Sequence, residues 1–141
     1  MFWCDDSRAP LIIQEFRGAL SLDDVRRFAD FWAARFASGE RTGAVVGAKD
    51  VPMPSLATLK QLAAWVDDNR SQLQACSVGF AMCIDSAVVR GAVRFINTLT
   101  PPPIPQAVFA TQAEAIAWVT ERLEQEGVRI LHPSQAPAEV G

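Results

Sequence analysis

Two short stretches of this sequence place hydroxyl and charged side chains where helices are expected to begin. The first contains Asp50 and Ser55, and the second contains Asp85, Ser86 and Arg90. Each follows a short apolar run with the composition of a buried strand, and open α/β sheets bind their ligands where such strands end. A helix N-terminus attracts negative charge, so a serine there can face an anion or carry a phosphate. Ordinary helix capping explains both serines as well, and it is the commoner role of a serine at this position.

The other reactive residue types lack the spacing of an active site or a metal site. The three cysteines, Cys4, Cys76 and Cys83, show no C-x-x-C spacing, and their odd number favours free thiols in a reducing compartment. His132 is the only histidine and follows the last predicted helix beside Pro133, which argues against Ser-His-Asp and Cys-His catalysis. No G-x-G-x-x-G turn or Walker loop is present. The sequence therefore predicts no enzymatic activity, no cofactor and no metal site.

Length, charge and composition favour one soluble domain. The chain has 141 residues, and 50% of them are hydrophobic, which fits a compact core and argues against disorder. The net charge is -3 and the cations are scattered, which argues against a nucleic-acid partner. No segment approaches the roughly 18 apolar residues of a membrane span, and the N-terminus does not have the pattern of a secretory signal. We expect a cytoplasmic domain over residues 1–131 and a flexible tail over residues 132–141.

Apolar runs and turn signals predict a single mixed, mostly parallel β-sheet of about five strands, which places the chain in the α/β class. The expected strands cover residues 2–4, 11–17, 43–48, 76–84 and 107–109. The first two are rich in β-forming residue types and are expected to pair as an N-terminal hairpin. Residues 128–131 are expected to add a small edge strand or to dock on the domain.

Four helices are predicted from apolar residues that recur every three or four positions. Their expected N-caps are Ser21, Ser55, Ser86 and Thr111. The second helix is expected to end near Leu73, and the last is expected to open with a capping box between Thr111 and Glu114. The apolar stripes predicted to face the core are Leu56, Leu59, Leu62, Ala63 and Val66 in the second helix and Val89, Ala92, Val93, Ile96 and Leu99 in the third. Trp65 is expected to be a core residue, as tryptophans usually are.

The element order and a few local motifs resemble the STAS domain of anti-sigma-factor antagonists, and more narrowly the small bacterial proteins described as SpoIIAA-like or STAS/SEC14-like. The residues that carry the resemblance are Phe16-Arg17-Gly18 with Ser21 and the closing runs Val108-Phe109-Ala110-Thr111 and Glu114-Ala115-Ile116-Ala117-Trp118. The resemblance covers residues 1–126. It implies a STAS fold and a non-enzymatic regulatory or binding module.

The same resemblance points to Ser55 as a regulatory residue. In phosphorylated STAS antagonists the acceptor serine opens the helix after the second core strand, and this position falls at or near Ser55. The chain departs from the family there, because it has Met53-Pro54-Ser55-Leu56 in place of the Asp-Ser-Ser-Gly signature.

Three functions are compatible with these patterns, and the first is favoured. A regulatory protein-interaction module predicts a protein partner, an exposed apolar patch on one helix face that includes Trp65 or residues of the third helix, and a homodimer formed through it. A binder of an apolar small molecule or lipid predicts an enclosed aliphatic pocket near the third helix and the Pro-rich segment 100–105. An unusual enzyme would have to use Cys83, Asp85 or Ser86, and it ranks last because these groups lack an evident base.

Overall fold

The five strands of the sheet lie side by side in the order in which they occur in the chain. The computed structural model describes residues 1–129. The strands are β1 (Phe2–Asp5), β2 (Leu11–Arg17), β3 (Thr42–Lys49), β4 (Ser77–Ile84) and β5 (Gln106–Phe109). β1 and β2 pair antiparallel, and β2 to β5 are all parallel. The predicted α/β class, the mixed sheet and the N-terminal hairpin are confirmed.

The described residues form five helices rather than the four predicted. The helices are α1 (Leu22–Ser38), α2 (Leu56–Asp68), α3 (Arg70–Cys76), α4 (Ala87–Leu99) and α5 (Gln112–Gln125). The second predicted helix divides at Asn69, whose side-chain amide donates to the carbonyl oxygen of Trp65 at 2.9 Å and shares it with the backbone N–H of Asn69. The backbone of Asn69, with φ -110° and ψ 15°, lies outside helical geometry, so α2 ends there and α3 begins at the next residue. The short α3 then buries Leu73 and Cys76, so Cys76 ends a helix instead of beginning β4.

One face of the sheet packs against α5, and we call it the α5 face. Ile13 and Val45 point to it from β2 and β3 and belong to one core cluster with Val119 and Leu123 of α5. Gly43 allows this close approach, because a Cβ atom at Gly43 would lie only 2.6 Å from Cγ1 of Val119. The packing therefore depends on a residue without a side chain in the middle of the sheet.

The opposite face packs against α1 and α2 through an aromatic cluster. Trp32 is fully buried, and its indole Nε1–H donates to Oε1 of the buried Gln14 at 3.1 Å. This bond satisfies two polar groups that would be costly to bury unpaired. Trp65 of α2 meets Phe28 edge-on, with 4.9 Å between the ring centroids. Trp65 is half-buried and packs against the core cluster, which confirms in part the prediction of a core residue.

Two helix starts differ in how completely they are capped. At α1 the capping box is complete, because Asp24 donates its N–H to Oγ of Ser21 and accepts the N–H of Ser21, both at 3.1 Å. Burial raises the pKa of the Asp24 carboxyl, but the hydrogen bonds from Ser21, together with the N-terminal ammonium of Met1, hold that pKa below its usual value. At α5 half of the predicted box forms. The Glu114 N–H donates to Oγ1 of Thr111 at 3.3 Å, whereas the Glu114 carboxylate accepts the Thr111 hydroxyl instead of its backbone N–H.

The predicted inward stripes of the second and third helices are only partly correct. In α2 the buried residue is Thr58, and Leu56 and Leu59 are exposed. The helix is rotated because Trp65, which lies on another side of it, takes the place in the aromatic cluster. Every residue of α4 is described, and none of them is fully buried. Of its predicted stripe, Val89, Ala92 and Val93 are half-buried, whereas Ile96 and Leu99 are exposed.

The end of the described chain docks on the domain. Val128 is half-buried against the α5 cluster and donates its N–H to the carbonyl oxygen of Leu123 at 2.8 Å. Val128 and Arg129 belong to no strand. The rest of the expected edge strand, His132 and the expected tail over residues 132–141 lie outside the described residues. No helix between residues 1 and 129 has both the length and the hydropathy to cross a membrane.

Candidate functional site

The carboxyl ends of β2, β3 and β4 border an open cavity of about 300 Å³ on the α5 face. Lys49 ends β3 and Asp85 follows β4, and both line this cavity. Side chains at the carboxyl ends of neighbouring parallel strands are expected to meet in this way. Other lining residues are Glu15, Arg17, Gly47, Cys83 and Gln112.

The strand register explains why these side chains meet. Glu15 of β2 lies opposite Gly47 of β3, and Gly47 lies opposite Cys83 of β4. Arg17 and Lys49 form the next row toward the strand ends. α5 packs on the rows nearer the other end of the strands, around Ile13 and Val45. Because Gly47 has no side chain, the floor of the cavity stays open between Glu15 and Cys83.

The charges in the cavity largely cancel. Arg17 donates to both carboxylate oxygens of Glu15, at 3.0 and 3.2 Å. Lys49 and Asp85 add one charge of each sign, so the cavity does not concentrate a field that would attract an anion. Among residues 1–129, no group of three His, Cys, Asp or Glu side chains is placed to hold a metal ion.

Cys83 is the candidate nucleophile that lines the cavity, and its thiol is protonated at neutral pH. Burial raises the pKa of the Cys83 thiol, and the carboxylates of Asp85 and Glu15 raise it further. Because the thiolate is the reactive form, Cys83 is a weak nucleophile at neutral pH.

Both predicted serines cap helices. Oγ of Ser55 accepts the N–H of Thr58 at 3.2 Å, and its side chain is 3.0 Å from Oγ1 of the same threonine. Oγ of Ser86 accepts the N–H of Val89 at 3.3 Å. Neither serine lines the cavity. The structure therefore places both hydroxyls in the capping role that residue type alone already favoured.

Asp50 and Arg90, the other two predicted candidates, also lie away from the cavity lining. Asp50 is exposed and has a left-handed backbone with φ 54° in the turn after β3. Nη1 of Arg90 donates to the carbonyl oxygens of Ile84 and Asp85, at 2.7 and 3.1 Å. Its guanidinium therefore closes the end of β4 instead of facing a ligand. Of the five predicted residues, Asp85 is the one that lines the cavity.

Sequence reasoning missed most of the lining residues, among them Glu15, Arg17 and Gln112. Their position depends on which strands are neighbours and in which register, and neither is a local property of the chain. A signal was present in β2, because Glu15 and Arg17 occupy alternate positions after Ile13 and so share its face.

A second candidate surface is the side of α4 that faces solvent. Its large side chains expose 80% (Val88), 63% (Phe95), 54% (Ile96) and 67% (Leu99) of their area. We call this surface the outer face of α4, and it consists of Val88, Gly91, Ala92, Phe95, Ile96 and Leu99. At about 100° per residue, Val88, Phe95 and Leu99 fall within an arc of about 40°.

Two arginines explain why the apolar side of α4 points outward. Arg90 donates to the carbonyl oxygens at the end of β4, and Nη2 of Arg94 donates to the carbonyl oxygen of Val108 in β5 at 3.0 Å. At about 100° per residue, Arg90 lies about 160° around the helix from Val88, and Arg94 lies about 120° from it. Their hydrogen bonds, which involve a charged donor, are stronger than neutral ones. The side of α4 that faces the sheet therefore carries these two arginines together with the half-buried Val89 and Val93.

Comparison with known proteins supports the fold. No protein-family model matches the chain, and no curated protein matches it. Among solved structures, the chain is similar to the crystal structure of an uncharacterized protein of the DUF3478 family from Shewanella loihica PV-4, described as having a SpoIIAA-like fold. The identity is 15%, the TM-score is 0.57, and the match covers 84% of this chain and 92% of that chain. The chain has a SpoIIAA-like fold.

Ser55 and the outer face of α4 can both be located within the SpoIIAA-like fold. At this level of identity the likeness concerns the fold alone. Within it, Ser55 opens α2 after β3 and is exposed, which is the position that the resemblance assigned to it. The outer face of α4 belongs to the helix that connects the last two strands of the SpoIIAA-like sheet.

Proposed function

We propose that this chain is a non-enzymatic regulatory module that binds a protein partner through the outer face of α4. The observation that carries the proposal is the exposure of Val88, Phe95, Ile96 and Leu99 on one side of a single helix. Fully burying an apolar side chain of this size is favourable by about 1.5–3 kcal/mol. A partner that covers these four side chains would therefore gain binding free energy. A cluster of large exposed apolar residues marks an interaction surface more often than an accident of packing.

The cavity at the carboxyl ends of the strands gives less support to an enzyme. Its thiol is held in the protonated form and its charges cancel. Catalysis by Cys83 would need a neighbouring base to remove the proton. The carboxylates in the lining, Asp85 and Glu15, raise the pKa of the thiol. A binding role without chemistry therefore fits these residues better.

The alternative of an apolar small molecule or lipid calls for an enclosed aliphatic pocket near α4. The cavity at the carboxyl ends is open and is lined by charged residues. A second cavity lies at the other end of the sheet, between Pro10, Glu40, Arg41 and Val128. Neither is lined by a residue of α4 or of the Pro-rich segment 100–105. Docking of a folded partner on the convex helix surface is the better supported of the two roles.

Site-specific photocrosslinking tests the proposal. A photoreactive benzoyl-phenylalanine replaces Phe95 in cells that express the chain, and the matched control carries it at the exposed Arg26 of α1. We expect one defined adduct from position 95 and none from position 26. Adding Ile96→Asp and Leu99→Asp should abolish the adduct, because these changes place charges on the docking surface. Absence of any adduct from position 95, or the same adducts from both positions, would contradict the proposed function.

A further inference from the structure

We infer that the protein partner is a second copy of this chain, which pairs its α4 antiparallel with the first α4 about a twofold axis. The inference rests on the proposed function, since it names the occupant of the same outer face. In such an isologous contact, one surface meets itself, so it must carry both a protruding group and the recess that receives it.

The outer face of α4 has both features one turn apart. Phe95 is its largest side chain and is 63% exposed. Gly91 precedes it by four residues and is exposed, and a Cβ atom placed on Gly91 would have no atom within 4 Å. With Ala92 beside it, Gly91 forms a shallow recess on the same side of the helix. Residues four apart in a helix are neighbours on its surface, so ring and recess are adjacent.

Antiparallel pairing matches the two features reciprocally. When two copies of α4 cross near the middle of this face, the ring of Phe95 covers Gly91 and Ala92 of the second copy. The same contact occurs in reverse, because a twofold axis relates the copies. Val88 then lies opposite Leu99 of the second copy. This single contact buries the four large apolar side chains of each copy from solvent.

The charge pattern also favours a second copy. None of the six residues of the outer face is charged. A charge on this face would meet its own equivalent across the twofold axis and would oppose pairing. The net charge of -3 is carried elsewhere, and Arg90 and Arg94 are engaged with backbone carbonyls of the same chain. A strongly charged partner would find no complementary group on this surface.

The area of the outer face of α4 determines the affinity expected for the dimer. One helix face is smaller than the roughly 800 Å² per partner of a standard interface. We therefore expect a dissociation constant in the micromolar range, since interfaces of this size are weak. Dilution should dissociate the pair into folded monomers.

Sedimentation of two complementary variants tests the inference. Gly91→Phe fills the recess, and Phe95→Ala removes the ring that occupies it. Each variant alone should raise the dissociation constant of the dimer by about tenfold or more. In an equimolar mixture, the ring introduced by Gly91→Phe enters the space left by Phe95→Ala, and the remaining native Phe95 faces the remaining native Gly91, so both contacts of the pair are complementary again. We expect the mixture to form dimers at a concentration where each variant alone is monomeric.

The outcomes separate this inference from the proposed function. Both substitutions alter exposed positions, and circular dichroism of each variant checks that it is folded. A wild type that stays monomeric up to near-millimolar concentration, or a mixture that stays monomeric, overturns the dimer. Wild-type protein that remains monomeric and co-floats with phosphatidylcholine vesicles in a density gradient also contradicts the dimer, because its outer face then binds lipid. A monomer that still gives a heterologous protein adduct from position 95 overturns the dimer and leaves the proposed function standing.

Discussion

Cys83 is the residue on which an enzymatic interpretation would have to depend. It faces the open cavity beside Glu15 and Asp85, in a row of the sheet where Gly47 leaves space. Burial and these carboxylates raise the pKa of its thiol, the opposite of what an activated cysteine needs. The same residue is therefore accessible enough to label and too weakly ionised to serve as a nucleophile.

We predict that the folded chain reacts slowly with iodoacetamide at Cys83. Below the pKa of the thiol, the reactive thiolate falls about tenfold for each unit by which the pKa is raised. Peptide mass spectrometry should show a lower rate at pH 7 than for glutathione, with a rise toward pH 10. The same cysteine in urea serves as the control and should react like a free thiol. A folded-state rate above that of glutathione would reopen the case for an enzyme.

For single residues, the sequence predicted contacts between residues close in the chain and missed contacts between different strands. The capping roles of Ser55 and Ser86 were foreseeable, because a cap bonds to an N–H only a few residues away. The presence of Glu15 and Arg17 in the cavity was not, because it depends on their register with β3. Arg90 was misjudged for a related reason, since its partners are carbonyls at the end of a strand.

At the scale of elements, the contact of β3 with α5 offers a sharp test of packing. We predict that Gly43→Ala lowers the free energy of unfolding by about 1–3 kcal/mol, because overpacking forces a stiff neighbour to move. The new methyl group would lie 2.6 Å from Cγ1 of Val119 and 3.3 Å from Cγ of Leu123. Urea unfolding measured by fluorescence gives the value.

Gly47→Ala is the matched control in the same strand. Its Cβ atom would meet its nearest neighbour, Cγ of Glu15, at 3.5 Å, which is an ordinary contact. We expect a change within about 0.5 kcal/mol, since the substitution also reduces the conformational freedom of the unfolded chain. Equal losses for Gly43→Ala and Gly47→Ala would show that α5 does not lie against β3 as described.

The rotations of α2 and α4 show why helix faces were harder to predict than helices. Each helix has apolar residues over a broad arc, so the pattern predicts a helix without saying which part of the arc is buried. In α2, Trp65 competes with Leu56 and Leu59 for the core and enters the aromatic cluster. In α4, hydrogen bonds from Arg90 and Arg94 to strand carbonyls decide the orientation. Both outcomes depend on tertiary contacts.

At the scale of the whole molecule, the SpoIIAA-like fold was predictable and its binding surface was only partly so. The strand order follows from apolar runs separated by helix signals, and short connections place successive strands side by side. The first hypothesis did expect an apolar patch on one helix face. It located that patch at Trp65 or on the third predicted helix, which is α4. Trp65 instead packs in the aromatic cluster, whereas Ile96 and Leu99, which the apolar stripe places in the core, are exposed.

Both binding proposals depend on α4 facing the sheet with the side that carries Arg90 and Arg94, so that its outer face lies in solvent. The measurement that tests this most directly is the free energy of unfolding of the triple variant Phe95→Ala/Ile96→Ala/Leu99→Ala in dilute solution. We predict a loss of about 1 kcal/mol or less, because the three side chains are exposed and alanine favours the helix. Leu123→Ala, at a fully buried position, should lose about 2–5 kcal/mol by itself. A triple variant that loses more than Leu123→Ala would mean that the outer face of α4 is part of the core, and would contradict both proposals.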